Sequence, residues 1–320
     1  MHFLSDGIIL IKCKDQRKIS KGMGAVNTLV VTGKNDSIII DPGVWTYQYR
    51  ILKKLSRKNL VEISKIKRVC ITHQHWDHCT LASYFQKKFK AEVFSHKEAV
   101  EALENEDIMF KNFFTGYRFL KNELENYPLW VIKKAIHFLW GTYEAIKVNK
   151  TLEDKERLIH DIPIEVIGLP GHTPCNLGYY FPEERILLAG DLIDLETGIG
   201  YDVNSPLSNY ETTQGSVKKL LTMKIEKFIS GHGKIVEGEE NCRVLFKERI
   251  AKSANLRDRI IEILNEEECT FRELITKVTE KRSILSYYLN RHVFYCYLDS
   301  IDKELNIQFR AKGKKTYISL

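Results

Sequence analysis

Short apolar segments alternate with polar turns along the first 235 residues of the chain. Each segment is rich in Ile, Val and Leu and stops at a Gly, Asp or His. Short apolar runs bounded by turn residues are typical of buried β-strands. We therefore predict strands within GIILIK, AVNTLVVTG, DSIIIDPG, RVCIT, AEVFSH, IPIEVIGL, RILLAG and KFIS.

Helical patterns interrupt this series of strands. Residues 81–89 (LASYFQKKF) predict a helix, and residues 107 to about 157 carry apolar positions spaced by three or four, rich in aromatics. Pro128 separates two such stripes and predicts two inserted helices. The stripes consist of Phe110, Phe113, Phe114, Tyr117 and Leu120, and of Ile132, Ala135, Ile136, Leu139, Trp140 and Tyr143. Strands with interspersed helices indicate a layered domain of both element types.

A boundary near residue 250 divides the chain into a domain at 1–250 and a smaller one at 254–320. ANLRDRIIEILNE predicts a first helix, and Thr270 with Glu273 forms the capping-box pattern of a second. A third helix would carry Ile284, Leu285, Tyr288 and Leu289. The last 15 residues predict a β-hairpin with Gly313 at its tip. Three short helices followed by a hairpin are the pattern of a winged helix.

Composition and charge indicate which partners and which cellular compartment to expect. The net charge of +7 is compatible with an anionic substrate but is too small to indicate nucleic acid by itself. The seven cysteines have no CxxC spacing, which favours reduced thiols over disulfides or a zinc ribbon. Charge interrupts the N-terminal segment early, and no apolar run approaches the roughly 20 residues of a membrane span. We expect a cytoplasmic protein without membrane contact.

The stretch THQHWDHC carries four metal-ligand side chains: His73, His75, Asp77 and His78. Residues two apart in an extended segment point the same way, so His73 and His75 can converge on one ion. Asp77 and His78 stand where the next helix begins and can face a neighbouring ion. Imidazole and carboxylate groups suit zinc and similar divalent metals.

The same arrangement, an apolar strand followed by a small turn and a ligand-type residue, recurs along the chain. The further residues are Asp41, His172, Asp191 and His232. Open sheets of α/β proteins place their sites at strand ends in this way. The combination predicts a metal site assembled from several strand ends.

HxHxDH followed by GH, AGD and GHG resembles the metallo-β-lactamase superfamily over roughly residues 8 to 240. The resemblance implies a four-layer αββα sandwich, here with the helical insert and the small C-terminal domain. It implies that His73, His75 and His172 bind a first metal, and that Asp77, His78 and His232 bind a second. Asp191 and a hydroxide would bridge the two ions, and Asp41 would orient ligands.

A dinuclear hydrolase is the function that this resemblance implies. Two divalent ions, zinc with iron or manganese as alternatives, would hold a bridging hydroxide for attack on a thioester or other carboxylic ester. Asp77 and Asp191 are the candidate catalytic residues, Asp77 as a proton relay. The bridging Asp191 favours the glyoxalase-like branch over true β-lactamases. The alternatives are a single-strand endoribonuclease using the same metals and a mononuclear-iron sulfur dioxygenase.

The insert and the C-terminal domain bear on the substrate and on partners. Phe113, Phe114, Tyr117, Trp130 and Trp140 would either wall an apolar pocket or pack into the domain or a homodimer contact. Arg310, Lys312, Lys314 and Lys315 on the wing, with Arg282 and Arg291, could contact nucleic acid. Residues 254–320 hold 12 Lys and Arg against 10 Asp and Glu, so nucleic acid is not favoured. We expect a small-molecule ester or thioester as the partner.

Overall fold

In the computed structural model, residues 2–12, 26–113, 128–195, 207–280, 284–313 and 315–320 are described. Within them, a first sheet has seven strands in chain order, antiparallel from the first to the fourth and parallel from the fourth to the seventh. They are β1 (His2–Ser5), β2 (Ile8–Ile11), β3 (Thr28–Thr32), β4 (Ser37–Ile40), β5 (Ile66–Cys70), β6 (Glu92–His96) and β7 (Lys150–Leu152).

A second sheet of six strands lies in the same domain. Its strands are β8 (Arg157–Leu158), β9 (Ile164–Gly168), β10 (Leu177–Phe181), β11 (Ile186–Leu188), β12 (Lys227–Ile229) and β13 (Ile235–Glu237). In the sheet they follow one another from β13 to β8, and within the described residues only β11 and β12 pair in parallel. The predicted strand segments are thus confirmed.

Alternation of side chains within the strands explains why two layers of helices cover the two sheets. In β2, Ile8 and Leu10 join the core between the sheets, while Ile9 and Ile11 face the helices outside the first sheet. In β11, Ile186 faces the core between the sheets and Leu187 faces the helices outside the second sheet. Because successive side chains of a strand point to opposite faces, each sheet is buried on both sides. The αββα sandwich is confirmed.

Seven helices of the described chain belong to this domain or its insert. They are α1 (Gln48–Arg57), α2 (Trp76–Cys79), α3 (Ala82–Phe89), α4 (Val100–Glu104), α5 (Glu106–Phe113), α6 (Leu129–Trp140) and α7 (Tyr210–Leu220). Short 3-10 turns occupy Ile63–Lys65 and Lys97–Ala99. α1 and α3 contribute to the core outside the first sheet, and α7 to the core outside the second.

The insert is helical over a shorter range than the predicted 107–157. α6 ends at Trp140 because Gly141, with φ of 104°, leaves the helical conformation. Tyr143, predicted on the helical stripe, lies beyond the helix, where its buried hydroxyl donates to the Leu103 carbonyl. Strand β7 then completes the first sheet, so the sandwich resumes before residue 157.

The C-terminal region consists of three helices and a small sheet. The helices are α8 (Glu239–Glu266), α9 (Phe271–Thr279) and α10 (Ile284–Leu305), and the strands are β14 (Cys269–Thr270), β15 (Gln308–Lys312) and β16 (Lys315–Ser319). The Thr270–Glu273 capping box and the hairpin around Gly313 are confirmed. Of the predicted basic side chains, Arg310, Lys312 and Lys315 are exposed and Arg291 is buried, whereas Arg282 and Lys314 lie outside the described residues. The winged-helix assignment stays a prediction.

Helix α8 passes through the predicted domain boundary near residue 250 without a break. Cys242 and Phe246 of its first half join the core outside the second sheet. Leu256, Ile260 and Ile263 of its second half join the C-terminal core. One continuous helix therefore belongs to both regions.

The described residues bear on two expectations, one about membrane-spanning segments and one about the cysteines. No helix in these parts of the chain combines the length and the apolar character that crossing a membrane requires. Cys70, Cys79, Cys175, Cys242, Cys269 and Cys296 are all buried and free, whereas Cys13 lies outside the described residues.

Candidate metal centre

The loops at the carboxyl ends of five strands bring the predicted site residues together. Three of the loops belong to the second sheet and two to the first. Asp41 follows β4, His73 and His75 follow β5, Asp77 and His78 lie in α2, His172 follows β9, Asp191 follows β11 and His232 follows β12. All seven predicted ligands fall into two neighbouring groups, each able to hold one ion.

Three histidines and one aspartate form the first group. Nδ1 of His75 lies 3.0 Å from Nε2 of His73 and 3.0 Å from Nε2 of His172. Oδ2 of Asp191 lies 3.6 Å from the same nitrogen of His172 and 3.9 Å from that of His73. Ligand atoms of a tetrahedral zinc site, at 2.0–2.1 Å from the ion, are separated by about 3.3 Å. The spacing of this group is therefore that of a single coordination sphere.

Asp77, His78 and His232 form the second group. Nε2 of His232 lies 3.3 Å from Oδ2 of Asp77. His78 is fully buried, while Asp77 and His232 keep about a seventh of their side-chain surface exposed. Their ligand atoms, like those of the first group, lie within 4.8 Å of one another.

The Asp191 carboxylate lies between the two groups and contacts both. Besides the first group, its Oδ2 is 3.3 Å from Nε2 of His232, and its Oδ1 is 3.4 Å from Nε2 of His78. A carboxylate whose oxygens lie within 4 Å of histidine nitrogens in both groups is placed as a bridging ligand would be.

Asp41 supports this centre through Thr72 and His78. Its Oδ1 accepts from the backbone N–H of Thr72 at 2.8 Å, and its Oδ2 accepts from the Thr72 hydroxyl at 2.7 Å. The same Oδ2 lies 2.8 Å from Nδ1 of His78. Asp41 has φ of 49°, a strained conformation for a residue with a side chain, which these contacts stabilise. The interaction leaves Nε2 of His78 to face Asp191.

Burial keeps the histidines of the first group neutral. It lowers the pKa of His73 and His75 well below the ordinary value, and it lowers that of His172 too. Removal of a charged imidazolium from water is costly, and neighbouring histidines add repulsion at all three residues. Neutral imidazoles have free lone pairs, which metal binding requires.

In the second group, neighbouring carboxylates raise the pKa of the histidines instead of leaving it low. Burial lowers the pKa of His78, but the charges of Asp191, Asp41 and Asp77 outweigh it and raise the pKa to about 10. The pKa of His232 rises well above its ordinary value because Asp191 and Asp77 outweigh burial in the same way. Conversely, burial raises the pKa of Asp191, yet His232 and His78 hold it well below its usual range. This concentration of carboxylates favours a cation in their midst.

The donor set fits two divalent ions. Nε2 of His78 and Oδ1 of Asp191 are buried and have no hydrogen-bond partner among the described residues. Buried polar atoms are normally paired, so these two atoms point to a ligand between them. Imidazole nitrogens with carboxylate oxygens are the ligands that zinc and iron share in proteins.

Three residues outside the predicted set hold the ligand loops. Asn176 donates to the carbonyls of Leu169 and Ala189 at 3.0 Å each, and its Oδ1 accepts from the Asp191 N–H at 3.3 Å. Asn27 donates to the Ser230 carbonyl at 2.8 Å, just before His232. At Gly231 a β-carbon would lie 2.1 Å from Oδ1 of Asp191. The glycine stood visibly before His232 in the sequence, and Asn176 ends the stretch GHTPCN that contains His172, whereas Asn27 belongs to no recognisable motif.

Cys175 and the aromatics of the insert are the remaining side chains considered near this centre. The Cys175 thiol is buried and contacts the Gln74 side chain, and burial raises its pKa to about 11, as expected for a packed, unreactive thiol. Trp130 is 61% exposed, with the Lys134 ammonium 5.0 Å from its ring centre. The other proposed pocket aromatics, Phe113, Phe114, Tyr117 and Trp140, have side chains outside the described residues.

Sequence comparison finds a protein family and individual proteins that are similar to this chain. A family model described as the metallo-beta-lactamase superfamily matches residues 22–232. The hydroxyacylglutathione hydrolase GloC of Haemophilus influenzae is 24% identical over 208 residues, which are 64% of this chain and 84% of that protein. The probable metallo-hydrolase YqgX of Bacillus subtilis is 23% identical and covers 68% of this chain and 89% of its own.

Solved structures share the fold over nearly the whole chain. A metallo-beta-lactamase family protein from Thermus thermophilus has a TM-score of 0.69 at 18% identity, covering 98% of this chain and 99% of its own. A beta-lactamase domain protein from Burkholderia ambifaria has a TM-score of 0.70 at 13% identity, covering 100% and 94%. At such identities the likeness concerns the fold, which here includes the C-terminal helices.

Proposed function

This chain belongs to the metallo-β-lactamase superfamily, and from that membership we propose that it is a dinuclear metallohydrolase acting on a thioester or other carboxylic ester. The observation that carries the proposal is the position of Asp191 between the two groups. Its carboxylate lies 3.6 Å from His172 on one side and 3.4 Å from His78 on the other.

We assign the two metals to the ligands that surround each group. His73, His75 and His172 would hold the first ion, Asp77, His78 and His232 the second, and Asp191 both. When bound, two divalent ions supply an activated hydroxide nucleophile and stabilise the negative charge that develops during hydrolysis. Zinc is the metal that we propose, with iron or manganese as alternatives.

The residues of the chain contribute orientation and proton transfer. Asp41 holds the proton of His78 on Nδ1 and so keeps Nε2 available. The Asp77 side chain is more exposed than that of Asp41, and its carboxylate contacts His232 within the second group. We propose that Asp77 relays the proton that the leaving group must receive.

A thioester substrate has support from one relative. GloC is named for hydrolysis of hydroxyacylglutathione, which is a thioester, and it matches this chain over most of its own length. The identity of 24% leaves room for a different acyl or thiol part. We therefore propose the bond class and not the individual substrate.

The endoribonuclease alternative would depend on the C-terminal hairpin. Lys312 pairs with Glu268, and Arg310 lies 4.0 Å from the same carboxylate. An acidic partner reduces the positive field that a nucleic-acid backbone would meet. The charge at the hairpin therefore does not favour RNA over a small ester.

A substrate panel on the full chain, with metal content measured on the same sample, tests the proposal. Hydroxyacyl and acyl thioesters of glutathione and coenzyme A are compared with a single-stranded RNA oligonucleotide. We expect about two metal ions per chain and release of free thiol from at least one thioester. A chain that cleaves only RNA would support the nuclease alternative. One iron per chain with oxygen consumption would instead support the sulfur dioxygenase.

A further inference from the structure

Helix α7 lies between the sandwich and the C-terminal core. Its Val217 and Leu220 are buried in the core outside the second sheet, whereas Tyr210 at its start packs against the C-terminal core. The helix contacts both α8 and α10. A displacement of the C-terminal helices would therefore be transmitted to the first turn of α7.

The start of α7 also holds the loop that carries the metal ligand His172. The N–H of Asn209 donates to the Gly171 carbonyl at 2.9 Å, and the Ser208 hydroxyl donates to the His172 carbonyl at 3.1 Å. Further along the helix, the Ser216 hydroxyl donates to the Pro170 carbonyl at 2.6 Å. Three consecutive carbonyls of the loop are thus bonded to α7 or to the two residues before it.

Close packing at Gly171 leaves no space between the loop and the helix. A β-carbon at this position would lie 2.5 Å from Oγ1 of Thr213 and 2.7 Å from its Cα. Only glycine lets the two backbones approach so closely. The position of α7 therefore determines the position of the loop.

His172 depends on its backbone more than His73 and His78 do. Nδ1 of His73 lies 3.0 Å from the Thr72 hydroxyl, and Nδ1 of His78 lies 2.8 Å from Asp41. Nδ1 of His172, by contrast, is buried and has no hydrogen-bond partner within the described parts of the chain. No described side chain bonds this nitrogen, so the loop backbone takes the place of an outer partner in orienting the ring.

Two C-terminal residues hold Tyr210 in place. Tyr297 is completely buried, its ring centre lies 5.3 Å from that of Tyr210, and its hydroxyl shares a 2.6 Å hydrogen bond with Ser253. The Arg257 guanidinium stands 5.8 Å from the Tyr210 ring centre, within the range of a cation–π contact. The contacts bind the start of α7 to α8 and α10.

We propose that the C-terminal helices position the metal ligand His172 through Tyr210 and the start of α7. In this account Tyr210 is a positioning residue and touches neither metal nor substrate. The inference rests on the proposed metal centre, but it does not depend on which ester is hydrolysed. It gives the C-terminal region a role in the assembly of the first metal group.

Zinc titration of the metal-free full chain against a competing chelator tests the proposal. Tyr210→Ala should weaken binding of one of the two ions by about 10-fold or more, as the loss of an outer support of a ligand does. The second ion, held by Asp77, His78 and His232, should bind as in the wild type. Ser208→Ala removes the hydrogen bond to the His172 carbonyl and should weaken the same ion to a smaller extent.

Phe271→Ala is the matched control within the same core. Phe271 is buried and stacks on Tyr295 with ring centres 4.8 Å apart, so its loss also removes an aromatic side chain from the C-terminal core. We expect a lower unfolding temperature with unchanged affinity for both ions. Tyr210→Leu, which keeps apolar bulk, replaces the alanine variant if that variant does not fold.

Three results would contradict the proposal. The first is unchanged zinc affinity in Tyr210→Ala, Tyr210→Leu and Ser208→Ala. The second is an equal loss in Phe271→Ala, because general destabilisation would then explain the effect. The third is a wild-type chain that binds no metal, which would also overturn the proposed function. A wild-type chain that binds two ions but hydrolyses no thioester would overturn the substrate class alone.

Discussion

Asp41 and His78 form a completely buried pair in which the carboxylate lies 2.8 Å from Nδ1 of the ring. The partner of one ring nitrogen decides which tautomer a histidine adopts, so this contact leaves Nε2 toward Asp191. Residue 41 follows a strand of the first sheet and is 37 positions from His78 in the sequence.

Asp41→Asn should weaken metal binding at the second group. The amide of asparagine cannot accept from both Thr72 and His78 in the way the carboxylate does, so His78 loses its fixed orientation. We expect a loss of metal affinity of about 10- to 100-fold, measured by chelator competition. Asp36→Asn, which breaks an ion pair with Arg68 away from the centre, should leave the affinity unchanged.

Asp191→Asn should abolish turnover and weaken both ions. The substitution removes the negative charge that contacts both groups and keeps the size of the side chain. We expect metal affinity at least about 100-fold lower, which exceeds the loss expected for an outer partner of a ligand. Asp161→Asn, which alters a carboxylate bonded to the Lys34 N–H, is the control. Unchanged thioester turnover in Asp191→Asn would show that the bridging role is wrong.

Gly231→Ala should disrupt the centre by steric contact alone. The new methyl group would lie 2.1 Å from Oδ1 of Asp191 and 2.7 Å from Cε1 of His78, so a ligand must move. Metal content after dialysis should fall well below that of the wild type. Gly215→Ala is the matched control, because nothing lies within 4 Å of its β-carbon on helix α7. That variant should be more stable by about 0.5–1 kcal/mol and should retain its metals.

Mild acid should destabilise the chain through His292, outside the metal centre. Burial, with help from the charge of Arg291, lowers the pKa of His292 to about 3. In the unfolded chain the pKa of this histidine is about 6.5, so between about pH 6.5 and pH 3 the unfolded state binds a proton and the folded state does not. The stabilising contribution is complete above about pH 6.5 and is lost progressively as the pH falls toward 3.

His292→Phe should reduce this dependence on pH. The variant has no titratable ring, so its free energy of unfolding should fall less between about pH 7 and pH 5 than that of the wild type. Both proteins keep the same metal ligands, so the contribution of the metal centre cancels when their free energies of unfolding are subtracted. An equal fall in the free energy of unfolding of both proteins, measured with urea, would contradict the assignment to His292.

Much of the fold follows from local patterns. The strands were predictable because runs such as SIII at 37–40 are short, apolar and bounded by turn residues. The end of α6 was placed too late because the aromatic spacing continues past Gly141, although the glycine ends the helix. The boundary near residue 250 was predicted where the C-terminal helices begin, whereas α8 remains helical across it because its first half packs into the core outside the second sheet and its second half into the C-terminal core.

The ligand types and their order could be read from the sequence, because THQHWDHC and the strand-end residues each lie within one local segment. The division into two groups came from the family resemblance, and the way in which the groups meet depends on the tertiary structure. The tertiary structure placed Asp191 between histidines from three different loops, and it brought Asn27 to Ser230 across 203 positions. It also joined Tyr297 to the loop of His172 through α7. These contacts depend on how sheets and helices pack over long sequence separations, which no local pattern encodes.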